Sequence, residues 1–123
     1  MGHKSTNKHL GNFFIAGFNF WEGCKVFNEL KVGIPLHLVR EEDNKFDPYA
    51  VAIYYEDTKL GFIPRDENQL VAQLMDLGYD KIFDLRIQRI CPDAHPEKQI
   101  GTILFLKEAK DVYKCDIDNM LRL

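Results

Sequence analysis

The sequence predicts a mainly β domain: a small closed or nearly closed β-barrel of about six strands, with one packed α-helix and a short additional helix. Three observations lead there. Short, β-prone apolar runs outnumber segments of helical period. Turn formers such as Asn44, Asp47 and Pro48 punctuate them at close intervals. Closing such short strands removes edges that an open sheet would expose. A split α+β sheet is the alternative arrangement of the same elements.

The elements follow in order. Residues 1–10 read as a flexible N-terminal arm, and 11–123 as a single domain. Phe13 to Trp21 is aromatic-rich and β-prone, and Gly17 inside it marks a bulge or a close backbone approach. In that strand Phe14, Phe18 and Phe20 share one face, and Phe13 and Trp21 the other. Gly23 to Leu30 spaces Val26, Phe27 and Leu30 as one or two helical turns, with Gly33 just beyond. Ile34, Leu36 and Leu38 alternate as a strand that tolerates Pro35 near its start. The turn EEDNKFDP leads into a strand from Ala50 to Tyr55. Glu56 to Lys59 connects it to a returning strand, Leu60 to Ile63. Asp66 reads as an N-cap with Gln69 three places on. Leu70, Leu74 and Leu77, with Val71 beside them, then form the apolar stripe, and Gly78 the stop. Two more strands span Ile82 to Ile90 and Ile100 to Leu106. Residues 111–123 are ambiguous, with Ile117, Met120 and Leu121 able to form a last helical turn.

Composition narrows the function. With 123 residues, 46% of them hydrophobic, the chain suits one domain with a real core. It has no apolar run long enough to span a membrane and no secretory signal at its start, so a cytoplasmic location is expected. Cys24, Cys91 and Cys115 form no C-x-x-C and read as free thiols. His3, His9, His37 and His95 have no ligand-spaced partner, so neither metal nor cofactor is expected. A net charge of −3 disfavours strong non-specific duplex binding. The charge is uneven: residues 41–80 carry ten acids against three Lys/Arg.

The common enzyme signatures are absent: no G-x-S-x-G, P-loop, dinucleotide fingerprint or H-E-x-x-H. Glu41, Glu42 and Asp43 are adjacent, point apart, and read as a solvated loop rather than an acid/base pair. Cys91 has no neighbouring base in sequence. An enzyme is therefore not expected. Aromatics with cations nearby instead make a platform for single-stranded nucleic acid. Candidates are the strand-one aromatics, Phe46 in the polar turn, Phe62 and Arg65 at the hairpin's end, and Phe105 in the last strand.

One stretch resembles a known family. Arg40-Glu41-Glu42-Asp43-Asn44-Lys45-Phe46-Asp47-Pro48-Tyr49-Ala50-Val51, followed by Leu60-Gly61-Phe62-Ile63-Pro64-Arg65 and a helix, is similar to the HIRAN domain. Ile15-Ala16-Gly17-Phe18 resembles that family's first strand, and the likeness runs over residues 12–107. The resemblance implies a modified OB-like barrel that captures a single-stranded DNA end with a free 3′-hydroxyl, without catalysis, in DNA repair or stalled-fork processing. By position, Asp47 matches the acid that accepts a hydrogen bond from the 3′-hydroxyl. Phe46 matches the aromatic, commonly Tyr, that packs on the end nucleotide. Asn44 matches a polar residue of the same turn, Arg65 a basic residue on the phosphate path, and Phe14 a stacking aromatic. The chain departs from DNA-binding relatives at Phe13, where they carry Arg, and at Phe62, where they carry a polar or His residue. The expected DNA site is therefore Phe14, Asn44, Phe46, Asp47, Phe62, Arg65 and Phe105. The alternative is a protein-interaction module on the same barrel with DNA binding lost.

Overall fold

The computed structural model describes residues 8–108 and, beyond them, Val112. Six strands form one antiparallel sheet: β1 (Lys8–Phe14), β2 (Pro35–Arg40), β3 (Val51–Tyr55), β4 (Thr58–Phe62), β5 (Phe83–Ile90) and β6 (Ile100–Leu106), in the spatial order β1-β6-β5-β2-β3-β4. Strand β2 is the corner. Its first residues, Pro35 and Leu36, pair with β5, while His37 to Arg40 pair with β3. The sheet therefore bends around a core to which every strand contributes, through residues such as Phe13, Leu36, Ile53, Leu60, Leu85 and Leu104. Pro35 is tolerated because it opens the strand.

The ladder does not close on itself. Its edge strands, β1 and β4, are linked among the described residues by a bridge just past β1. Ala16 and Phe62 exchange backbone hydrogen bonds of 2.8 and 2.9 Å. Gly61 makes this approach possible: a Cβ there would lie 2.3 Å from the Ala16 carbonyl oxygen. The mainly β class with one packed helix thus stands, as a bent and stitched sheet.

Several boundaries differ from the sequence reading. Strand one runs from Lys8 to Phe14, so residues 8–10 of the expected arm belong to it, Lys8 and His9 pairing with β6 and Leu10 lying at a bulge, and 15–21 are not strand. Gly17 takes a left-handed φ of 71° and turns the chain into a 3₁₀ turn, Phe18–Phe20. Because the segment is not extended, alternation fails there. Phe18 is buried against Gly23, while Phe20 is 76% exposed. The short helix α1 (Gly23–Val26) and a 3₁₀ turn (Phe27–Glu29) follow as expected.

Helix α2 spans Gln69–Asp76, and its N-cap is Asn68 rather than Asp66. The face turned inward carries Asn68, Val71 and Ala72, with Leu74 packed against the core, while Leu70 and Leu77 are exposed. At the far end Gly78 donates to the Met75 carbonyl and Tyr79 to that of Leu74, closing the helix as a Schellman motif. The β3–β4 hairpin turns on Glu56 and Asp57 alone, with Tyr55 paired to Thr58. The ambiguous segment 111–123, apart from Val112, and Cys115 with it, lies outside the described residues.

Candidate nucleic-acid interface

The turn between β2 and β3 is held by its own side chains. Asn44 Oδ1 accepts from the backbone N–H of Phe46 (2.8 Å) and of Asp47 (3.0 Å). Asp47 Oδ1 accepts from the Tyr49 N–H (2.9 Å). These short-range bonds are the reason Asn and Asp form turns. Arg40 ties the turn down from inside, donating to the carbonyls of Pro48 (2.7 Å) and Ala50 (3.1 Å) and pairing with Asp76 of α2. The turn so fixed presents Phe46 to solvent with 84% of its surface exposed.

Asp47 faces inward from the same turn, its side chain 16% exposed. Its Oδ2 accepts from Asn68 Nδ2 (2.9 Å), which is why Asn68 does not cap α2 with its side chain. Arg65 lies over the turn. Its Nη2 donates to the Phe46 carbonyl (2.8 Å), its Nε stands 3.8 Å from Asp47 Oδ2, and the side chain is 72% exposed.

Beside the turn lies a cleft of about 380 Å³. Asn44, Phe46, Asp47, Phe62 and Arg65 line it, five of the seven expected site residues. The other two lie elsewhere. Phe14 borders a separate hollow with Asn12, Gln88 and Arg89. Phe105 packs edge-on against His9, ring centroids 6.1 Å apart. The strand pairing separates them: both sit on the β1–β6 ladder, whereas the cleft opens where Ala16 meets β4.

Residues 9–108 match the HIRAN domain family. This chain belongs to the HIRAN family. A crystal structure of a protein from Lactobacillus plantarum is similar to it, with a TM-score of 0.67 at 25% identity, covering 82% of this chain and 95% of that one. The crystal structure of the HIRAN domain of human HLTF is similar in fold, with a TM-score of 0.55 at 14% identity and 88% of each chain covered. No curated protein matches the chain. HIRAN domains are generally DNA-binding rather than catalytic. No helix among the described residues is long and apolar enough to cross a membrane.

The HIRAN cleft has a second cluster that the sequence did not disclose. Lys59 Nζ donates to Glu41 Oε2 (2.6 Å) and sits 3.7 Å from the Trp21 ring centroid and 4.4 Å from that of Phe62. Trp21 and Phe62 meet edge to face at 5.7 Å. Glu41 also accepts from Asn44 Nδ2 (3.0 Å), joining this cluster to the turn. Glu41 is therefore not part of a solvated loop, although its neighbours Glu42 and Asp43 are exposed. No spacing in the sequence marks Trp21, Glu41 and Lys59 as partners; the β3–β4 hairpin and the Ala16 bridge bring them together.

Burial pushes the Glu41 carboxyl up, but the hydrogen bonds from Lys59 and Asn44 and the Lys59 charge outweigh it, so its pKa falls below the ordinary 4.5. A carboxylate depressed on folding stabilises the fold above its unfolded pKa. That contribution is lost as pH falls through the lower, folded value. Glu41→Gln is expected to destabilise the domain at neutral pH by about 1–2 kcal/mol. Urea melts should show the gap between wild type and variant shrinking as pH drops below 4.5. A gap constant with pH would mean that the Glu41 charge contributes nothing.

Proposed function

We propose that this domain binds DNA, and specifically a single-stranded end with a free 3′-hydroxyl, in the cleft beside the Asn44–Pro48 turn. The carrying observation is the convergence of Phe46, Asp47 and Arg65 on one cleft. Phe46 offers an exposed ring for the end nucleotide. Each Asp47 oxygen receives one N–H and keeps a second lone-pair site, so the carboxylate can still accept a hydroxyl proton. A carboxylate there also repels a terminal phosphate. Arg65 spends one hydrogen bond on the Phe46 carbonyl, which orients it, and holds further donors toward solvent for a backbone phosphate.

Fluorescence anisotropy of short labelled strands tests this, comparing 3′-hydroxyl, 3′-phosphate and blunt-duplex ends at low and moderate salt. The expected result is salt-sensitive binding that favours the free 3′-hydroxyl. Equal binding of the 3′-phosphate strand would remove the role given to Asp47. Binding of no strand at any salt would leave the barrel to a protein partner. Arg65→Ala is expected to weaken all single strands alike, by about three- to tenfold, and to flatten the log–log salt slope by about 0.7, one phosphate's share. An unchanged slope would take Arg65 off the phosphate path. Placement in DNA repair or stalled-fork processing is part of the same reading, since both create free 3′ ends.

A further inference from the structure

We propose that Trp21 is a second base-stacking surface of the cleft, taking the nucleotide next to the terminal one; this rests on the DNA-end reading above and extends it. Trp21 lines the same cleft as Phe46 and Arg65. Its position follows from the local fold: Gly17, with its φ of 71°, reverses the chain after the Ala16 bridge, and the 3₁₀ turn that follows delivers Trp21 back over it. A Cβ on Gly17 would stand 3.7 Å from Trp21 Nε1.

The indole is fixed before any ligand arrives. Phe62 holds it edge to face, and the Lys59 ammonium sits on the ring. Glu41 neutralises that ammonium at 2.6 Å, so Lys59 acts as a clamp on the ring and not as a phosphate contact. Yet 41% of Trp21 stays exposed. A large ring that is already ordered and still open loses little conformational entropy when a base stacks on it. The exposed guanidinium of Arg65 on the same cleft supplies the charge that favours a nucleic-acid strand over an uncharged apolar ligand.

Trp21 is the chain's single tryptophan, so its emission reports this site alone. The test titrates a thymidine tetranucleotide with a free 3′-hydroxyl, and in parallel thymidine 5′-monophosphate, following tryptophan emission and the anisotropy of a labelled strand. The expected result is quenching by the tetranucleotide with the same midpoint as the anisotropy. Trp21→Ala should weaken tetranucleotide binding by about 5- to 100-fold, leave the monophosphate nearly unaffected, and keep the preference for a 3′-hydroxyl over a 3′-phosphate. Trp21→Phe should restore most of the affinity, because a ring remains. Saturable anisotropy with unchanged emission would overturn the proposal while sparing the end-binding reading. So would a Trp21→Ala protein that binds the tetranucleotide like wild type. Binding of no strand by anisotropy would overturn both.

Discussion

Asp47→Asn is expected to collapse the discrimination between strands ending in a 3′-hydroxyl and in a 3′-phosphate. Affinity for the hydroxyl end should fall by about 10- to 100-fold, the worth of one hydrogen bond to a charged acceptor. Asn is the informative substitution. Its carbonyl can still accept from the Tyr49 N–H at the place of Oδ1, and the Asn68 amide can turn to present its oxygen to the new NH2 group. The turn then survives while the negative charge is gone. Asp47→Ala would remove the same charge and both structural bonds, mixing lost recognition with a loosened turn. The measurement is a pair of anisotropy titrations per protein, one for each terminus, with a thermal melt to show that the fold is intact. A variant that melts like wild type and still prefers the hydroxyl end by the same ratio would place recognition elsewhere in the cleft.

The largest expected effect on stability comes from Gly61→Ala. The added methyl would meet the Ala16 carbonyl oxygen at 2.3 Å and Ile15 Cγ2 at 2.7 Å. Neither can yield cheaply, because Ile15 is fully buried and Ala16 is held by two backbone bonds to Phe62. Gly61 also has a φ of 153°, outside the range side chains favour. Forcing the bridge apart should cost about 3 kcal/mol or more and lower the melting temperature by about 10 °C. The same change would separate Ala16 from Phe62, both of which line the cleft, so ligand binding should weaken with stability. A melting temperature within a degree or two of wild type would mean that the bridge contributes little. By contrast, a Cβ on Gly33, although φ there is also positive, would meet nothing within 4 Å. Gly33→Ala should therefore show the backbone strain alone, a smaller loss read in the same melt.

Short-range chemistry is what could be read directly from adjacent residues. Asn44 and Asp47 reach backbone N–H groups two or three residues away, so the turn could be read from its residues. Period-two alternation placed β2 to within a residue, the two C-terminal strands lie within a residue of their expected bounds, and the glycine after α2 marked its end. The stretch from Arg40 to Arg65 was enough to point to the family. Which aromatics face the cleft depended on long-range packing. The segment after Phe14 has the same β-prone composition whether it continues as a strand or turns at Gly17, and the turn is selected because Ala16 must pair with β4 across Gly61. Helix α2 likewise takes its frame from Asn68, which is drawn into the core beside Asp47, rather than from the leucine spacing. Lys59 finds Glu41 eighteen residues earlier, with Trp21 and Phe62 around its ammonium, because a hairpin and a single bridge fold three separate stretches onto one another. Hydrogen bonds within a turn are written in adjacent residues; contacts between strands depend on where the whole sheet bends, and no local pattern encodes that.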